Sequence, residues 1–351
     1  MMRMIDFDTL FTIPPYALKK IEKEQLHKQY LDRLFEHHCN ACKPYQQIVR
    51  VLGKNPPLPV RLFKKYDLRS TGNEEITKTM TSSGTSGQSV SKIYLDRATS
   101  ARQTKALSKI VSDFTGKSRL PMLVIDSKAV LKNRNMFSAR GAGILGFSML
   151  GRDLTYALDE NMNLDWKTID AFCQKYYGQE VLMFGFTYII WQHFYQTLKT
   201  RNKKLPLKGI LIHGGGWKKL SELAVSEDEF RMELISVTQL QKVLNYYGMV
   251  EQTGSIFMEC ECGHLHASVF SDIQIFHPEN FEIAEKNEQG LVCLTSLLPT
   301  SYPGHILLTE DEGEILGEDD CPCGRMGKYF KIYGRMRGAE LRGCSDTYEQ
   351  H

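Results

Sequence analysis

The sequence predicts an α/β fold, with parallel-rich sheets covered by helices and a smaller β region toward the C-terminus. Three observations carry this. Apolar runs of strand length at residues 121–126, 181–184 and 209–213 alternate with segments of helical period, the alternation that builds a parallel sheet. These runs are nearly unbroken in Val, Ile, Leu, Met and Phe, as in strands buried on both faces. Beyond about residue 255 the pattern becomes β, with short apolar runs at 291–294 and 306–308 between Gly, Pro and Asp turns.

Taken in order, residues 15–38 place Leu18, Ile21, Leu26, Leu31, Leu34 and Phe35 at helical spacing between charges, which predicts an N-terminal helical cap. Pro56, Pro57 and Pro59 break it and lead into a short extended or helical connector over 60–66. Residues 79–81 run into a Ser/Gly loop, and 93–95 return as the second strand of a hairpin. Helical spacing follows over 98–111, then the strand at 121–126. Residues 164–177 are helical, 181–184 a strand and 189–200 helical again. The strand at 209–213 meets three glycines at its end. There is no internal repeat.

The 351 residues suffice for one large domain or two ordinary ones. A hydrophobic fraction of 42% and a charged fraction of 24% are those of a soluble globular protein. A net charge of +3, with basic residues spread along the chain, offers no stripe for nucleic acid. The apolar stretch 181–190 is interrupted by Gly185 and Thr187 and is too short to insert in a membrane. The first residues lack the apolar segment of a secretory signal. Nine cysteines, an odd number, then predict reduced thiols in a cytoplasmic protein.

Two loops suggest chemistry. Thr81, Ser82, Ser83, Gly84, Thr85, Ser86 and Gly87 combine hydroxyls with two glycines, so side-chain and backbone donors can surround phosphate oxygens. No Gly-Lys-Ser/Thr ends the run, so it is not a Walker loop; Lys92 lies close enough to bring positive charge. The alternative is a flexible hairpin tip. Further on, Tyr246-Tyr247-Gly248-Met249-Val250-Glu251 offers an aromatic to stack on a base and a carboxylate to help hold Mg²⁺ on a triphosphate; a simple turn would look similar.

The loops in this order resemble the adenylate-forming superfamily, which includes acyl-CoA synthetases and luciferases. Residues 81–87 are similar to its phosphate loop, and 247–251 to its Tyr-Gly-x-Thr-Glu motif, with Val250 in place of Thr. Thr309-Glu310-Asp311 resembles its Thr-Gly-Asp motif, whose Asp binds ribose, with Glu310 replacing Gly; Gly334-Arg335 resembles its hinge. Within that superfamily the chain is most similar to the acyl-protein synthetases of bacterial luminescence operons (LuxE-type). The residues that carry this are Phe184-Gly185-Phe186-Thr187, His213-Gly214-Gly215-Gly216-Trp217-Lys218 and Arg342-Gly343-Cys344. The resemblance implies an ATP-dependent ligase: a carboxylic acid, by preference a fatty acid, is adenylated and transferred to the enzyme's own cysteine. A reductase or carrier protein then receives it.

The resemblance also sets a domain expectation. Residues 1–334 form the adenylate-forming large domain, with the β region and a zinc knuckle inside 255–330. Residues 335–351 are a short tail where relatives carry a lid of about one hundred residues, the size of a small domain. The lid's lysine then needs a substitute, and Lys218 and Lys219 are the candidates. Cys344, near Arg337 and Arg342, is the candidate nucleophile, since neighbouring cations favour the reactive thiolate. The bare backbone of Gly214, Gly215 and Gly216 is positioned to accept adenine, while residues 141–147 and 184–186 are candidates to line an acyl pocket.

The other dense constellation is Cys260-Glu261-Cys262-Gly263-His264-Leu265-His266 with Cys321-Pro322-Cys323-Gly324. Two Cys pairs, each followed by Gly, can close a tetrahedral zinc site. The alternative is reduced, metal-free thiols. Zinc-binding relatives imply Cys321, Cys323 and His266, with either Cys260 or Cys262 as the fourth ligand. Two other functions stand beside this reading. One is a CoA or acyl-carrier-protein ligase that borrows a separate lid, betrayed by AMP release that depends on the thiol acceptor. The other is a catalytically inactive zinc-stabilised assembly subunit, which would bind metal without acid-dependent pyrophosphate exchange.

Overall fold

A computed structural model describes residues 5–82, 90–131, 139–217 and 224–336. In chain order its strands are β1 (Leu58–Pro59), β2 (Ile76–Thr81), β3 (Lys92–Asp96), β4 (Leu120–Ser127), β5 (Gly151–Leu158), β6 (Glu180–Phe186) and β7 (Lys208–Gly214). There follow β8 (Gln239–Tyr247), β9 (Phe257–Glu259), β10 (Leu265–His266), β11 (Ser271–Phe276), β12 (Gly290–Ser296), β13 (Ile306–Glu318) and β14 (Lys328–Arg335). The chain divides into two compact units, one from residues 1–114 and 248–341, the other mainly from 115–247.

The second unit is a parallel sheet in the order β5-β4-β6-β7-β8. Strand β4 is buried along almost its whole length, which is why its apolar run reads so clearly. Crossover helices join successive strands. Trp166–Lys175 starts at Asp165, whose side chain accepts from the Thr168 amide at 3.1 Å. Glu227–Val237 starts at Ser226 and carries three acidic residues in its first turn, a favourable placement at the positive end of the helix dipole. The segment between β6 and β7 passes through a π-helical stretch, Ile190–Tyr195. The chain moves from β4 to β5 on one side and then to β6, β7 and β8 on the other. The order therefore reverses beside β4, and such reversals are where open α/β sheets bind ligands, at the carboxyl ends of the strands. At the carboxyl end of β4, Asp126 is fully buried and takes a two-pronged ion pair from Arg140.

The first unit carries an antiparallel array in the order β11-β12-β13-β14-β10-β9, with β1 parallel to β13 and the hairpin β2–β3 apart from it. The N-terminal helix spans Lys20–Ala41 rather than beginning near Pro15. Its buried face also differs from the apolar pattern. Ile21 is 69% exposed, while Lys23, His27, Tyr30, Leu34 and His38 face inward. The polar members are accommodated because each finds a partner: Lys23 Nζ donates to the Ala267 carbonyl (3.1 Å) and pairs with Asp272 (3.3 Å), and His27 Nε2 meets the Val269 carbonyl at 3.0 Å. No helix among the described residues is long and apolar enough to cross a membrane.

Candidate active site

Strands β2 and β3 pair antiparallel and place Lys92 directly opposite Thr81. One residue further out, the Ser82 amide donates to the Ser91 carbonyl (3.2 Å) and the Ser91 amide to Ser82 Oγ (2.9 Å). The hairpin thus has a closed neck, with an exposed lysine at one side and a buried threonine at the other. The Ser91 hydroxyl is buried at this neck without a hydrogen-bond partner among the described residues. The loop that the neck supports, Ser83, Gly84, Thr85, Ser86 and Gly87, lies outside the described residues.

Glu251 sits in a single 3₁₀ turn, Val250–Gln252, and is buried. Two contacts fix the turn. Tyr302 Oη donates to the Glu251 carbonyl at 2.9 Å, and Gln252 Nε2 donates to the Leu294 and Gly304 carbonyls. Thr253 Oγ1 lies 3.7 Å from Met80 Sδ, so this turn rests against the strand that feeds the Ser/Gly loop. Gly254, at φ +84°, passes against the Gln103 backbone of helix Arg97–Thr115 so closely that a side chain there would collide with it.

Asp311 on β13 is the direct cross-strand partner of Arg335 on β14. The Arg335 guanidinium lies 3.9 Å from Asp311 Oδ1 and 3.5 Å from Glu310 Oε2, and Arg61 pairs with the other oxygen of Glu310. The carboxylate that replaces the motif's glycine is therefore balanced by two arginines. Asp311 also receives a brace of its own, its amide donating to Thr309 Oγ1 at 3.1 Å.

In the second unit, β7 ends in Gly214 and turns through Gly215 (φ +86°) and Gly216 (φ +64°). A Cβ on Gly214 would stand 2.6 Å from the Tyr246 carbonyl, and one on Gly215 2.8 Å from the Phe186 ring. The turn is thus glycine for reasons of both space and dihedral. Tyr247 ends β8 half-buried, and Gly248 follows exposed. Phe147 stacks on Phe184 at 4.3 Å, and a Cβ on Gly143 would be 3.1 Å from Phe186. The two runs suggested for an acyl pocket therefore pack together. Lys218 and Lys219 lie outside the described residues, as do Arg337, Arg342 and Cys344.

The metal-ligating side chains are brought together in the first unit. The ligand atoms of Cys260, His266, Cys321 and Cys323 all lie within 4.8 Å of one another. Cys260 Sγ is 3.9 Å from Cys321 Sγ, and Cys323 Sγ 3.4 Å from His266 Nε2. A tetrahedral zinc ion with ordinary bond lengths would hold sulfurs about 3.8 Å apart and a sulfur–nitrogen pair about 3.6 Å apart, so the group has the dimensions such an ion requires. Cys262 is exposed and outside the group; what it supplies is its backbone amide, 3.4 Å from Cys260 Sγ. Burial pushes the Cys260 thiol up to about 11 and raises Cys321 further, while burial holds His266 down near about 4. A neutral imidazole with buried thiols that lose their protons only to a cation is a donor set suited to zinc.

Sequence reasoning missed several contributors. Arg325 packs over Phe114 at 4.0 Å and pairs with Asp113 and Glu261 (3.0 Å each) beside the cluster. His264, quoted in the Cys/His constellation but not among the implied ligands, has its Nδ1 3.3 Å from Cys321 Sγ. Arg61 gave no local signal at all, because its partner Glu310 is remote in sequence. Thr187 and His213 were singled out as motif members, yet nothing in the sequence said that they touch: Thr187 Oγ1 is 3.0 Å from His213 Nδ1 and 3.1 Å from the Gly214 carbonyl.

With a parallel-rich sheet in one unit and an antiparallel array in the other, the fold is structurally similar to that of adenylate-forming enzymes. The fold is similar to that of 2-hydroxyisobutyryl-CoA ligase in an open conformation with 2-HIB-AMP and CoA: TM-score 0.70 at 15% identity, covering 92% of this chain and 77% of that one. The post-adenylation state of the same enzyme with 2-HIB-AMP gives a TM-score of 0.69 at 15% identity, covering 92% and 69%. The chain belongs to the acyl-protein synthetase (LuxE) family, whose pattern matches residues 3–351, and it is thereby an ATP-dependent acyl-activating ligase. Among its relatives are the long-chain-fatty-acid–luciferin-component ligases of Aliivibrio fischeri and Vibrio harveyi. The first is 23% identical over 367 residues, 96% of this chain and 92% of the relative; the second is 22% identical over 364 residues, 98% and 92%.

Proposed function

We propose that the protein adenylates a long-chain fatty acid and transfers the acyl group to Cys344, from which a partner protein receives it. The carboxylate oxygen attacks the α-phosphorus of ATP and pyrophosphate leaves. The Cys344 thiolate then attacks the acyl carbonyl and AMP leaves. On this reading Thr81–Gly87 and Lys92 would bind the phosphates, Glu251 would hold Mg²⁺, Asp311 and Arg335 would bind the ribose and its phosphate, and Tyr247 with residues 214–216 would bind the adenine. Bound Mg²⁺ supplies charge neutralisation on the triphosphate. Loop donors act by electrostatic stabilisation, because negative charge develops on the phosphoryl oxygens. Lys218 would supply the second positive charge. Residues 141–147 and 184–186 line the acyl chain, and the reaction runs in the cytoplasm.

The observation that carries this reading is the contact of Thr253 with Met80, which sets the Glu251 turn beside the strand feeding the Ser/Gly loop. Cys260, His266, Cys321 and Cys323 would hold a structural Zn²⁺. It would staple the β9–β10 segment to the β13–β14 connection and contribute folding energy, with no open position for catalysis.

The test is incubation with ATP and labelled fatty acid. Acid-dependent pyrophosphate exchange is expected, with label that survives denaturation, is released by hydroxylamine and disappears in Cys344→Ser. No exchange with any acid overturns the adenylation reading and favours an inactive assembly subunit. Label retained in Cys344→Ser overturns the acceptor assignment, and AMP release that requires CoA or a carrier protein replaces it with a ligase of that type.

A further inference from the structure

We propose that Thr187 is a positioning residue for the nucleotide: its hydroxyl, clamped between His213 and the Gly214 carbonyl, holds the glycine turn in the shape that receives adenine. The inference rests on the reading of residues 214–216 as the adenine site.

The register of the parallel pair makes the clamp possible. Phe186, the last residue of β6, lies opposite Gly214, the last of β7. Thr187, the next residue, therefore emerges beside the point where β7 opens into the glycine turn. Thr187 and His213 are 3% and 1% exposed, so water does not compete for their hydrogen bonds. Burial pushes His213 down to about 3, and the ring is neutral at physiological pH with one N–H.

Counting protons then fixes the pattern. The hydroxyl of Thr187 has one hydrogen and two neighbours, His213 Nδ1 and the Gly214 carbonyl. A carbonyl can only accept, so the hydroxyl must donate to it, and Nδ1–H must donate to the hydroxyl oxygen. Nε2 is left bare, 3.8 Å from the Glu227 carboxylate, and the ring is held in place by Phe230 at 4.5 Å. The polar chain therefore runs His213 to Thr187 to Gly214 in one direction only.

Consecutive glycines are the loosest backbone a protein can build, and a loose turn loses affinity to the entropy of ordering it. Here the segment Phe186-Thr187 restrains the turn twice. The Phe186 ring lies where any Gly215 side chain would go, and the Thr187 hydroxyl takes the Gly214 carbonyl. The pairing of the two motifs has a purpose on this account: one is the brace of the other.

Thr187→Val keeps the shape and removes the hydroxyl. The expected result in pyrophosphate exchange is a rise in KM for ATP of about tenfold with kcat little changed, and Thr187→Ser restoring the original value. A role in folding alone would lower the thermal midpoint and leave KM for ATP where it was, which overturns the proposal. If Thr187→Val does not fold, His213 gives the same test: Asn keeps an N–H for the Thr187 hydroxyl and Phe does not. KM near the parent value for His213→Asn and raised for His213→Phe supports the clamp; equal values overturn it. An 8-azido-ATP photoprobe separates the two layers. Labelling outside the peptide that contains residues 214–217 overturns the adenine reading and this inference with it. Labelling there with an unchanged KM in Thr187→Val overturns this inference alone.

Discussion

The two units build their candidate functional corners by opposite means. In the antiparallel unit the corner is made of side chains that converge: a Cys/His cluster from β10 and two loops, a buried glutamate, and an aspartate beside an arginine. In the parallel unit the corner is made of side chains that are missing, a glycine turn given its form by Phe186, Tyr246 and Thr187. The first kind of site depends on which groups are present and the second on how much room is left. They should fail differently, the first by loss of stability and the second by loss of affinity.

The largest expected effect falls on the antiparallel unit. Cys323→Ser should abolish the zinc binding proposed for the Cys/His cluster and reduce stability by about 3 kcal/mol or more. Elemental analysis and a thermal melt measure both. Hydrogen exchange should show protection lost in β10 and β14 before β6 and β7, and uniform loss would break the contrast between the units.

Acid should sharpen the contrast. Burial holds His27 at about 4, His305 at about 3 and His38 well below its ordinary value, all in the antiparallel unit; in the parallel unit His213 is held at about 3. A depressed folded value means that the unfolded chain takes the proton first. The stability these residues confer is whole above about pH 6.5 and is lost as pH falls toward 4, at about 1.4 kcal/mol per pH unit for each histidine. Urea midpoints at pH 7 and pH 5.5 should differ accordingly, with the antiparallel unit losing exchange protection first. The smallest effect belongs to Arg61→Ala. Arg61 is half-exposed, and such pairs contribute about 0–1 kcal/mol. A shift in the urea midpoint beyond that range would show that Glu310 depends on Arg61 more than on Arg335.

The same contrast decides what the sequence reveals. The strands β4, β6 and β7 were legible because central parallel strands are apolar throughout. Strand β5 was not, since as an edge strand its middle residues Arg152, Asp153 and Leu154 are exposed, and β8 hid its pattern behind Gln239, Gln241 and Lys242. The cluster was legible as five candidate ligands, because thiols and imidazoles announce their chemistry. It could not be reduced to four, since Cys260 and Cys262 are equivalent as letters and differ only in which way a short turn aims them. Glu310 read as a departure from a motif; its compensation by Arg61 is a fact of tertiary packing. In the parallel unit Gly214, Gly215 and Gly216 were visible as glycines, whereas the clamp on them required coordinates.

The last rung of the β13–β14 ladder is the Met336 amide donating to the Glu310 carbonyl at 3.0 Å, next door to Asp311. The covalent chain beyond Met336 therefore starts beside Asp311. A fully extended chain covers at most about 3.6 Å per residue, so Cys344 can never stray more than about 29 Å from that point. If Cys344 is the acceptor, as proposed, a thiol on so short a leash would meet an acyl-adenylate formed near Asp311 at an effective concentration on the order of millimolar, whatever the concentration of enzyme. On that proposal reach alone would make self-acylation insensitive to dilution, whereas the proposed transfer to a second protein would not be.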